Sequence, residues 1–574
     1  MRVGLLTEGG YPYATGEARV WCDRLVRALD WHDFEVYALS RDARQEAAGW
    51  AELPGQVRRV RTAPLWGEPA GRRRSYGRRQ RRRFTEHFGD LAVAISVPGG
   101  PDGPDGSVRA QADRFASGLH GLADLARDVG GLSAALRSED AVRTLERACH
   151  TPGAPRAAHR ARVTDLLAVT EALERALRPL SLDWYGGGAR DPGLSGVDLC
   201  HATSGGVAAL PGLLAKRRFG TPLLVTEYGV RLREHYLRPT AGRSGPVRAL
   251  LAAFQGRLAA EAYAQAALIT PGNTHARRWQ ERCGADPERL RTVYPGMDAA
   301  RFAEVGEAGA AAGGGDDRTL VWVGRLEPAK DVVALLHAFA EVRRWQPDAR
   351  LRVIETRPGD DPGDGYPAHC RGLADHLFPD EAANAHTPGD NPVSFEHVGD
   401  PEVPTLADAY AAGAVVVLSS VVEGFPVGLV EAMFCGRATV STDAGAVCEA
   451  IGGTGLVVPP RNPRALADAC LALLRDPERR ARLGAAARAR ALELFTAEQN
   501  VVAFRGIYLE LMSHCPVRRE EVGADGAPLP FARPAEAHIP GRWAAGRGVA
   551  HTPGWAEDGP APRQRLAALS EEGA

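Results

Sequence analysis

The sequence lacks the cysteine patterns that mark disulfide-rich folds and cysteine-ligated metal sites. Its nine cysteines are scattered, odd in number and without a CxxC pair, which indicates reduced thiols and argues against a disulfide framework. No apolar run approaches the length of a membrane span, and the N-terminal MRVGLLTEGG has no signal-peptide core. We therefore expect a cytoplasmic protein without a membrane-spanning segment.

Net charge is also nearly absent. The formal charge is -1, so overall electrostatics favours neither nucleic acid nor any other class of partner. The 574 residues are 44% hydrophobic and 25% charged, which is ordinary for a soluble globular protein. This length exceeds what a single core supports, so two or three domains are expected.

The first part of the chain alternates between strand and helix patterns. Residues 3–6 form a short apolar run. A glycine-containing loop and then a helical pattern follow this run, and residues 34–39 are typical of the next strand. This alternation predicts a doubly wound α/β domain over residues 1–302. Weaker periodicity over about residues 56–192 predicts a helical insertion.

A second α/β unit is predicted over residues 318–490. The Gly/Ala tract at 303–317 indicates a flexible connection before it, and TLVWVGR, LRVIET, VSFEHVG, AVVVLSS and ATVST are strand candidates of a parallel sheet. We expect a helix over residues 491–514 to pack back across the cleft between the domains, and residues 515–574 to be disordered.

Two carboxylates eight residues apart are the most informative local pattern. Glu423 and Glu431 bracket EGFPVGLVE, which follows an apolar run at 414–418 and predicts a strand, a turn and a helix beginning at Pro426. Ligands of parallel sheets bind beyond the carboxyl ends of the strands, and a helix start can bind phosphate. The alternative is a helix whose first turn carries one acid while the other faces water.

A basic pair follows the first predicted strand of the second unit. In GRLEPAKD, Gly324 permits a tight turn, and Arg325 and Lys330 offer a planar fork and a point charge suited to diphosphate oxygens. Taken alone, such residues are more often surface charges. Glycoside hydrolysis also uses two carboxylates, but a neutral glycoside needs no basic pair.

These motifs resemble a known family. GRLEPAK followed by EGFPVGLVEAMFCGRATVSTDAG is similar to the donor-binding domain of the family-four retaining glycosyltransferases, which have the GT-B fold of two facing Rossmann-like domains. LLTEGGYPYATG, HATSGG, TEYGVRLRE and GADPERLRTVYPGMDAARF resemble more narrowly the PelF-like exopolysaccharide branch.

The resemblance implies roles for individual residues. Arg325 and Lys330 would hold the diphosphate and offset leaving-group charge without a metal or cofactor, while Glu423 would contact the donor sugar. Further donor-binding residues are implied, namely Gly16, Gly324, Phe425, Pro426, Val427, Gly428 and Glu431, of which Glu431 would bind the ribose. The implied reaction moves a hexosyl unit from a nucleotide diphosphate sugar, with a UDP-sugar favoured, to a hydroxyl of a glycan or glycolipid acceptor with retention of configuration.

The sequence departs from the family pattern at three places. Tyr228 stands where PelF-like sequences have histidine, Glu17 replaces the second glycine of the N-terminal glycine loop, and Tyr294-Pro295-Gly296 stands in place of the usual PNG. A phenol can hydrogen-bond a sugar but does not become cationic near neutral pH. These changes leave open a catalytically impaired nucleotide-sugar-binding subunit of a polysaccharide-synthesis complex.

Three further features have competing interpretations. Tyr228, His201 and the aromatic pair Trp184 and Tyr185 are candidates for the sugar or acceptor side, although a buried histidine and core aromatics explain the last three equally well. An arginine tract could touch an anionic membrane surface rather than specific nucleic acid, or could be a solvated charge run. It comprises Arg72, Arg73, Arg74, Arg78, Arg79, Arg81, Arg82 and Arg83.

Overall fold

The structure is a computed structural model. It describes residues 1–13, 17–67, 76–97, 105–186, 192–237, 242–312, 317–356, 365–379, 391–517, 545–546 and 549–550. Two parallel sheets of six strands each dominate the described residues. The predicted two-domain α/β fold is confirmed.

The first sheet has the strand order β3-β2-β1-β4-β5-β6, which is the doubly wound order in which the crossover changes direction beside β1. Its strands are β1 (Arg2–Glu8), β2 (Asp33–Ser40), β3 (Val57–Pro64), β4 (Leu199–Ala202), β5 (Leu223–Glu227) and β6 (Leu268–Pro271). The central strands are mostly apolar and largely buried, as expected for a sheet that helices cover on both faces. Because β3 pairs with β2, the predicted insertion begins only after Pro64.

In the described part of the chain, twelve α-helices accompany this sheet. They are α1 (Glu17–Ala28), α2 (Ala43–Ala47), α3 (Arg78–Ser96), α4 (Asp105–Val129), α5 (Leu132–Leu136), α6 (Glu139–Cys149), α7 (Arg156–His159), α8 (Val163–Leu177), α9 (Leu210–Phe219), α10 (Arg231–Leu237), α11 (Gly245–Gln265) and α12 (Thr274–Arg282). Helices α3 to α8 form the predicted helical insertion. Phe84, Phe88 and Leu122 pack in one core with residues of the sheet, so the insertion is continuous with its domain.

The second sheet has the order β12-β11-β10-β7-β8-β9. Its strands are β7 (Thr319–Gly324), β8 (Arg350–Glu355), β9 (Val393–His397), β10 (Val415–Leu418), β11 (Ala438–Thr442) and β12 (Leu456–Val458). The helices of this part are α13 (Ala303–Ala312), α14 (Val332–Trp345), α15 (Tyr366–Leu377), α16 (Leu406–Ala411), α17 (Val427–Phe434), α18 (Val447–Ile451), α19 (Pro463–Leu474), α20 (Pro477–Leu494) and α21 (Ala497–His514). Separate apolar clusters cover its two faces, one around Trp322 and Phe339 and the other around Met433 and Phe434.

The segment predicted as a flexible connection is largely helical. Helix α13 spans Ala303–Ala312, and the preceding Phe302 packs in the core of the second domain together with Val305. Alanine has the highest helix propensity, so this composition forms a helix once one end is anchored. The expectation of flexibility was wrong for residues 303–312.

The final helix packs on the first domain. The predicted helix at 491–514 is interrupted: α20 ends at Leu494, and Thr496 caps α21 together with Gln499 in a capping box. Phe504, Ile507 and Tyr508 of α21 are buried on one face of the first sheet, in the same apolar cluster as residues of β1. The chain thus crosses between the domains twice, and the crossings are hydrogen-bonded to each other where Met297 pairs with Thr496.

Little of the C-terminal tail is described by the structure. Most of residues 515–574, predicted to be disordered, lie outside the described residues, apart from 515–517 and the antiparallel pair β13 (Ala545–Gly546) and β14 (Val549–Ala550). Among the described helices, none has the length and apolar composition needed to cross a bilayer.

Candidate functional site

The EGFPVGLVE motif lies at the carboxyl end of β10. Strand β10 ends at Leu418, and α17 begins at Val427 directly after Pro426, one residue later than predicted. Between them the chain folds onto the neighbouring loop, where the Val421 amide donates to the Ala329 carbonyl at 2.9 Å. The two predicted motifs are therefore adjacent in space.

Lys330 and Glu423 form an ion pair within this arrangement. The Lys330 Nζ donates to Glu423 Oε2 at 2.7 Å, and the two side chains are 20% and 11% exposed. Lys330 ends a short turn, and Asp331 follows with φ of 46° and caps α14 through Ala334. A left-handed backbone conformation is energetically costly for a residue other than glycine. Asp331 therefore fixes the direction of the loop that carries Lys330.

Arg325 is the open part of the site. Its side chain is 55% exposed, and its guanidinium lies 3.8 Å from the carboxylate of Glu327, so it can turn toward a ligand. Gly324 ends β7, where a Cβ atom would lie 3.1 Å from the Trp322 ring. The lack of a side chain at Gly324 therefore lets the chain pack closely against Trp322 immediately before Arg325.

Glu431 occupies a more enclosed position on α17. Its Oε2 accepts a hydrogen bond from the Tyr410 hydroxyl at 2.8 Å. Burial raises the pKa of the Glu431 carboxyl, and the bond from Tyr410 partly opposes this. Neither Glu423 nor Glu431 is a freely solvated acid, so the helix-start alternative describes neither.

The turn between the two acids packs its aromatic ring against neighbouring segments. The Phe425 ring lies 5.5 Å from that of Phe495 and 6.3 Å from that of Tyr294, which places it against the crossing segments. A Cβ atom at Gly428 would lie 3.1 Å from the Tyr410 oxygen. Val427 is 44% exposed at the first turn of α17.

The N-terminal half of the predicted site is only partly described. Gly16 lies outside the described residues, and α1 begins at Glu17. Tyr228 follows β5 and packs edge-on against the Trp21 indole, with ring centroids 5.4 Å apart. Its hydroxyl lies 3.5 Å from Asn500 Nδ2, and burial raises its pKa. The phenol therefore faces the junction with α21.

His201 does not reach the cleft. It is fully buried, with Nδ1 2.8 Å from the Tyr508 hydroxyl and Nε2 2.6 Å from the Thr226 hydroxyl. Burial lowers its pKa to about 3, so the ring is neutral. The acceptor-contact prediction fails because reaching this ring requires opening the core, and Trp184 and Tyr185 are likewise buried.

The arginine tract is solvated in its described part. Arg72, Arg73 and Arg74 lie outside the described residues, and the remaining arginines begin α3. Arg83 pairs with Asp128 at 3.3 Å, and both side chains are more than a third exposed. Exposed pairs of this kind contribute little to stability.

Two contacts that join the domains had no signal in the sequence. Arg233 of α10 donates from Nη2 to the Glu423 carbonyl at 2.6 Å. Glu449, just within α18, accepts from the Thr274 amide at 2.8 Å and from the Tyr294 hydroxyl at 2.9 Å. Each contact pairs residues more than 150 positions apart, so local patterns do not reveal them.

No metal site is evident in the described ranges: they contain no group of three or more His, Cys, Asp or Glu side chains that could hold an ion. The resulting site is a cleft edge with two cations, two carboxylates and a helix start. Such a surface can bind an anionic group and several hydroxyls on one ligand.

Comparisons with known proteins show which families the two parts of the chain resemble. Residues 1–288 match the model of a domain of unknown function, DUF3492, and residues 317–476 match the model of glycosyl transferases group 1. A D-inositol 3-phosphate glycosyltransferase of Kribbella flavida is 30% identical over 327 residues, which cover 55% of this chain and 72% of that protein. The corresponding protein of Kineococcus radiotolerans is 34% identical over 237 residues, which are 38% of this chain and only 52% of that protein.

Solved structures share the fold. A sucrose-phosphate synthase from Thermosynechococcus elongatus aligns with a TM-score of 0.51 and 18% identity over 89% of this chain and 99% of its own. Anabaena HepE in complex with UDP aligns with a TM-score of 0.52 and 16% identity over 89% of this chain and 100% of its own. The protein belongs to the group 1 glycosyltransferases and is a transferase of the GT-B fold.

Proposed function

We propose that the protein is a retaining glycosyltransferase that moves a hexosyl unit from a nucleotide diphosphate sugar to a hydroxyl of a glycan or glycolipid. The observation that carries this proposal is the adjacency of Lys330 and Glu423 at 2.7 Å. One group can attract a diphosphate while the other accepts hydrogen bonds from a sugar on the same donor.

The remaining residues complete the proposed donor site. Arg325 supplies a second, exposed cation for the diphosphate, and the Glu431 carboxylate accepts bonds from the ribose hydroxyls. Arg325 and Lys330 would stabilise the charge that develops on the leaving diphosphate, without a metal ion. Attack on the leaving-group face would preserve the anomeric configuration.

A UDP-sugar is the favoured donor. The support is the fold shared with Anabaena HepE, a protein solved with UDP bound. The acceptor is a hydroxyl-rich molecule, a class consistent with the inositol phosphate glycosyltransferases among the relatives. A role in exopolysaccharide synthesis of the PelF-like type, in the cytoplasm or at an anionic membrane surface through the arginine tract, extends the same proposal.

Titration calorimetry with UDP, GDP and ADP and their glucose conjugates tests the donor assignment, and mass spectrometry of products tests transfer. Replacing Arg325 with glutamate should raise the dissociation constant at least tenfold, because a carboxylate then faces the diphosphate. The exposed Arg344→Glu in the same domain is the control, since Arg344 pairs with a neighbouring surface glutamate on α14.

Equal affinities of Arg325→Glu and Arg344→Glu would show that the diphosphate lies elsewhere. Absence of nucleotide binding by the unmodified protein would overturn the proposed function. Binding without transfer or donor hydrolysis, with hydroxyl-rich acceptors supplied, would instead indicate the binding subunit that Tyr228 and Glu17 left open.

A further inference from the structure

Arg233 projects from a firmly held part of the first domain. It lies on α10, which follows β5 at the edge of the cleft. Two residues earlier, Arg231 forms an ion pair with Glu8 at 3.1 Å, which ties α10 to the end of β1, and a second pair at 3.0 Å with Glu234 of α10 itself. The backbone that carries Arg233 is therefore fixed relative to the first sheet.

The guanidinium reaches the Glu423 loop of the second domain. Arg233 Nη2 donates to the Glu423 carbonyl at 2.6 Å, while the carboxylate of the same glutamate accepts from Lys330 at 2.7 Å. The amides of Val421 and Val422 are held within their own domain by the Ala329 carbonyl. The side chain of Glu423 is thus held by Lys330 of its own domain, and its backbone carbonyl is held by Arg233 of the opposite domain.

Electrostatics favours the placement of the Arg233 guanidinium at the Glu423 carbonyl. Arg233 is partly buried, and burial lowers its pKa, while Glu423 and Glu234 act in the opposite direction. Guanidinium groups keep their charge in proteins. A partly desolvated cation that binds a carbonyl makes a charge-assisted hydrogen bond, which is stronger than a neutral one.

We propose that Arg233 is a positioning residue that holds Glu423 in register with the donor sugar and does so only when the two domains are closed. The inference rests on the proposed function of Glu423 as the sugar contact. The proposed diphosphate contacts Arg325 and Lys330 both belong to the second domain, so diphosphate binding should not require Arg233. Sugar recognition should require it.

The experiment compares Arg233→Met with Arg278→Met. Arg278 is an exposed arginine of α12 in the same domain, so both variants lose one positive charge. For Arg233→Met we expect an unchanged dissociation constant for UDP and a constant for UDP-glucose raised about tenfold. Arg233→Lys should give an intermediate constant because it restores the charge without the planar fork.

A second measurement needs no ligand. Hydrogen exchange of the peptide spanning residues 420–434 in the free protein should be faster in Arg233→Met than in the unmodified protein and in Arg278→Met, because the loop loses its anchor in the first domain. Thermal unfolding of all three proteins establishes that the fold is retained.

The outcomes separate the inference from the proposed function. Unchanged hydrogen exchange, or unchanged affinity for UDP-glucose in a protein that binds it, would overturn the positioning role. Equal weakening of UDP and UDP-glucose would also overturn it, because Arg233 would then contact the diphosphate itself. If the unmodified protein binds no nucleotide, the proposed function fails, and hydrogen exchange still decides whether Arg233 holds the loop.

Discussion

Tyr410 supports Glu431 from outside the motif that the sequence reveals. It lies on α16, and its hydroxyl donates to Glu431 Oε2 at 2.8 Å. That bond lowers the pKa of a carboxyl that burial raises, so it favours the ionised form. Only an ionised carboxylate accepts hydrogen bonds at both oxygens, which is what a pair of ribose hydroxyls requires.

Replacing Tyr410 with phenylalanine should therefore weaken nucleotide binding about threefold to tenfold, the usual range for one hydrogen bond. The pKa of Glu431 should rise further, so affinity in the variant should decline at a higher pH than in the unmodified protein as the solution is acidified. Calorimetric titration of UDP between pH 5 and pH 8 measures both effects.

A 2′,3′-dideoxy analogue of UDP provides the control for Tyr410→Phe. If Glu431 binds the ribose hydroxyls, the variant and the unmodified protein should differ little with this analogue, which lacks both hydroxyls. A loss of the same size with both ligands would show that the tyrosine acts on the fold rather than on ribose recognition.

At the residue level, the sequence placed Lys330 and Glu423 in two short motifs. Lys330 and Glu423 were expected beside one ligand, and the structure brings them together. His201 was harder to place, because a strand-end histidine has the same local pattern whether it faces a cleft or a core. Its burial depends on Tyr508 of α21, which lies 307 positions away.

At the scale of elements, α21 is part of the core of the first domain. Phe504 is fully buried, and its ring centroid lies 5.5 Å from that of Trp21. Val502, two residues earlier on the same helix, is 65% exposed. The two positions allow a matched comparison of buried and exposed side chains on one helix.

Phe504→Ala should lower the free energy of unfolding of the first domain by about 3 to 5 kcal/mol, because a large apolar side chain leaves a cavity. Val502→Ala should change it by less than about 0.5 kcal/mol. Urea unfolding followed by tryptophan fluorescence measures both. Similar midpoints for the two variants would contradict the packing of α21 on the first sheet.

The sequence predicted most elements, and the exceptions have physical causes. Apolar runs revealed the central strands, whereas β3, with the sequence VRRVRTAP, is an edge strand whose solvated side carries arginines and so lacks a continuous apolar run. The Gly/Ala tract was misjudged because composition alone does not show that Phe302 anchors one end of α13.

In the complete two-domain arrangement, hydrogen bonds to Glu449 link the two domains. Its carboxylate accepts from the Thr274 amide at the start of α12 in the first domain and from the Tyr294 hydroxyl of the crossing segment. A carboxylate at a helix start is favoured by the helix dipole and by the free amides. The contact therefore favours the closed arrangement of the cleft.

Glu449→Gln should shift the free protein toward more open arrangements, because a neutral amide is a weaker partner for the helix start. Small-angle X-ray scattering should show a larger radius of gyration than for the unmodified protein. Glu478→Gln, an exposed substitution in the same domain, is the control. Identical scattering from both variants would show that other contacts determine the domain arrangement.

The arrangement of the domains was the least predictable level. Local periodicity identifies a sheet and its covering helices, but the bond between Glu449 and Thr274 joins residues 175 positions apart, and neither residue belongs to a motif. The cleft could be inferred from two α/β units with a ligand motif on one of them. The particular contacts that close it could not.

The packing of α21 has a consequence for how the protein is made. The first sheet is synthesised before the second domain, yet the apolar surface beside β1 is covered by Phe504, Ile507 and Tyr508, which are translated after the entire second domain. Domains usually complete folding in the order of synthesis. Here the first domain can complete its core only after α21 has emerged, so the second domain can fold before the first is finished.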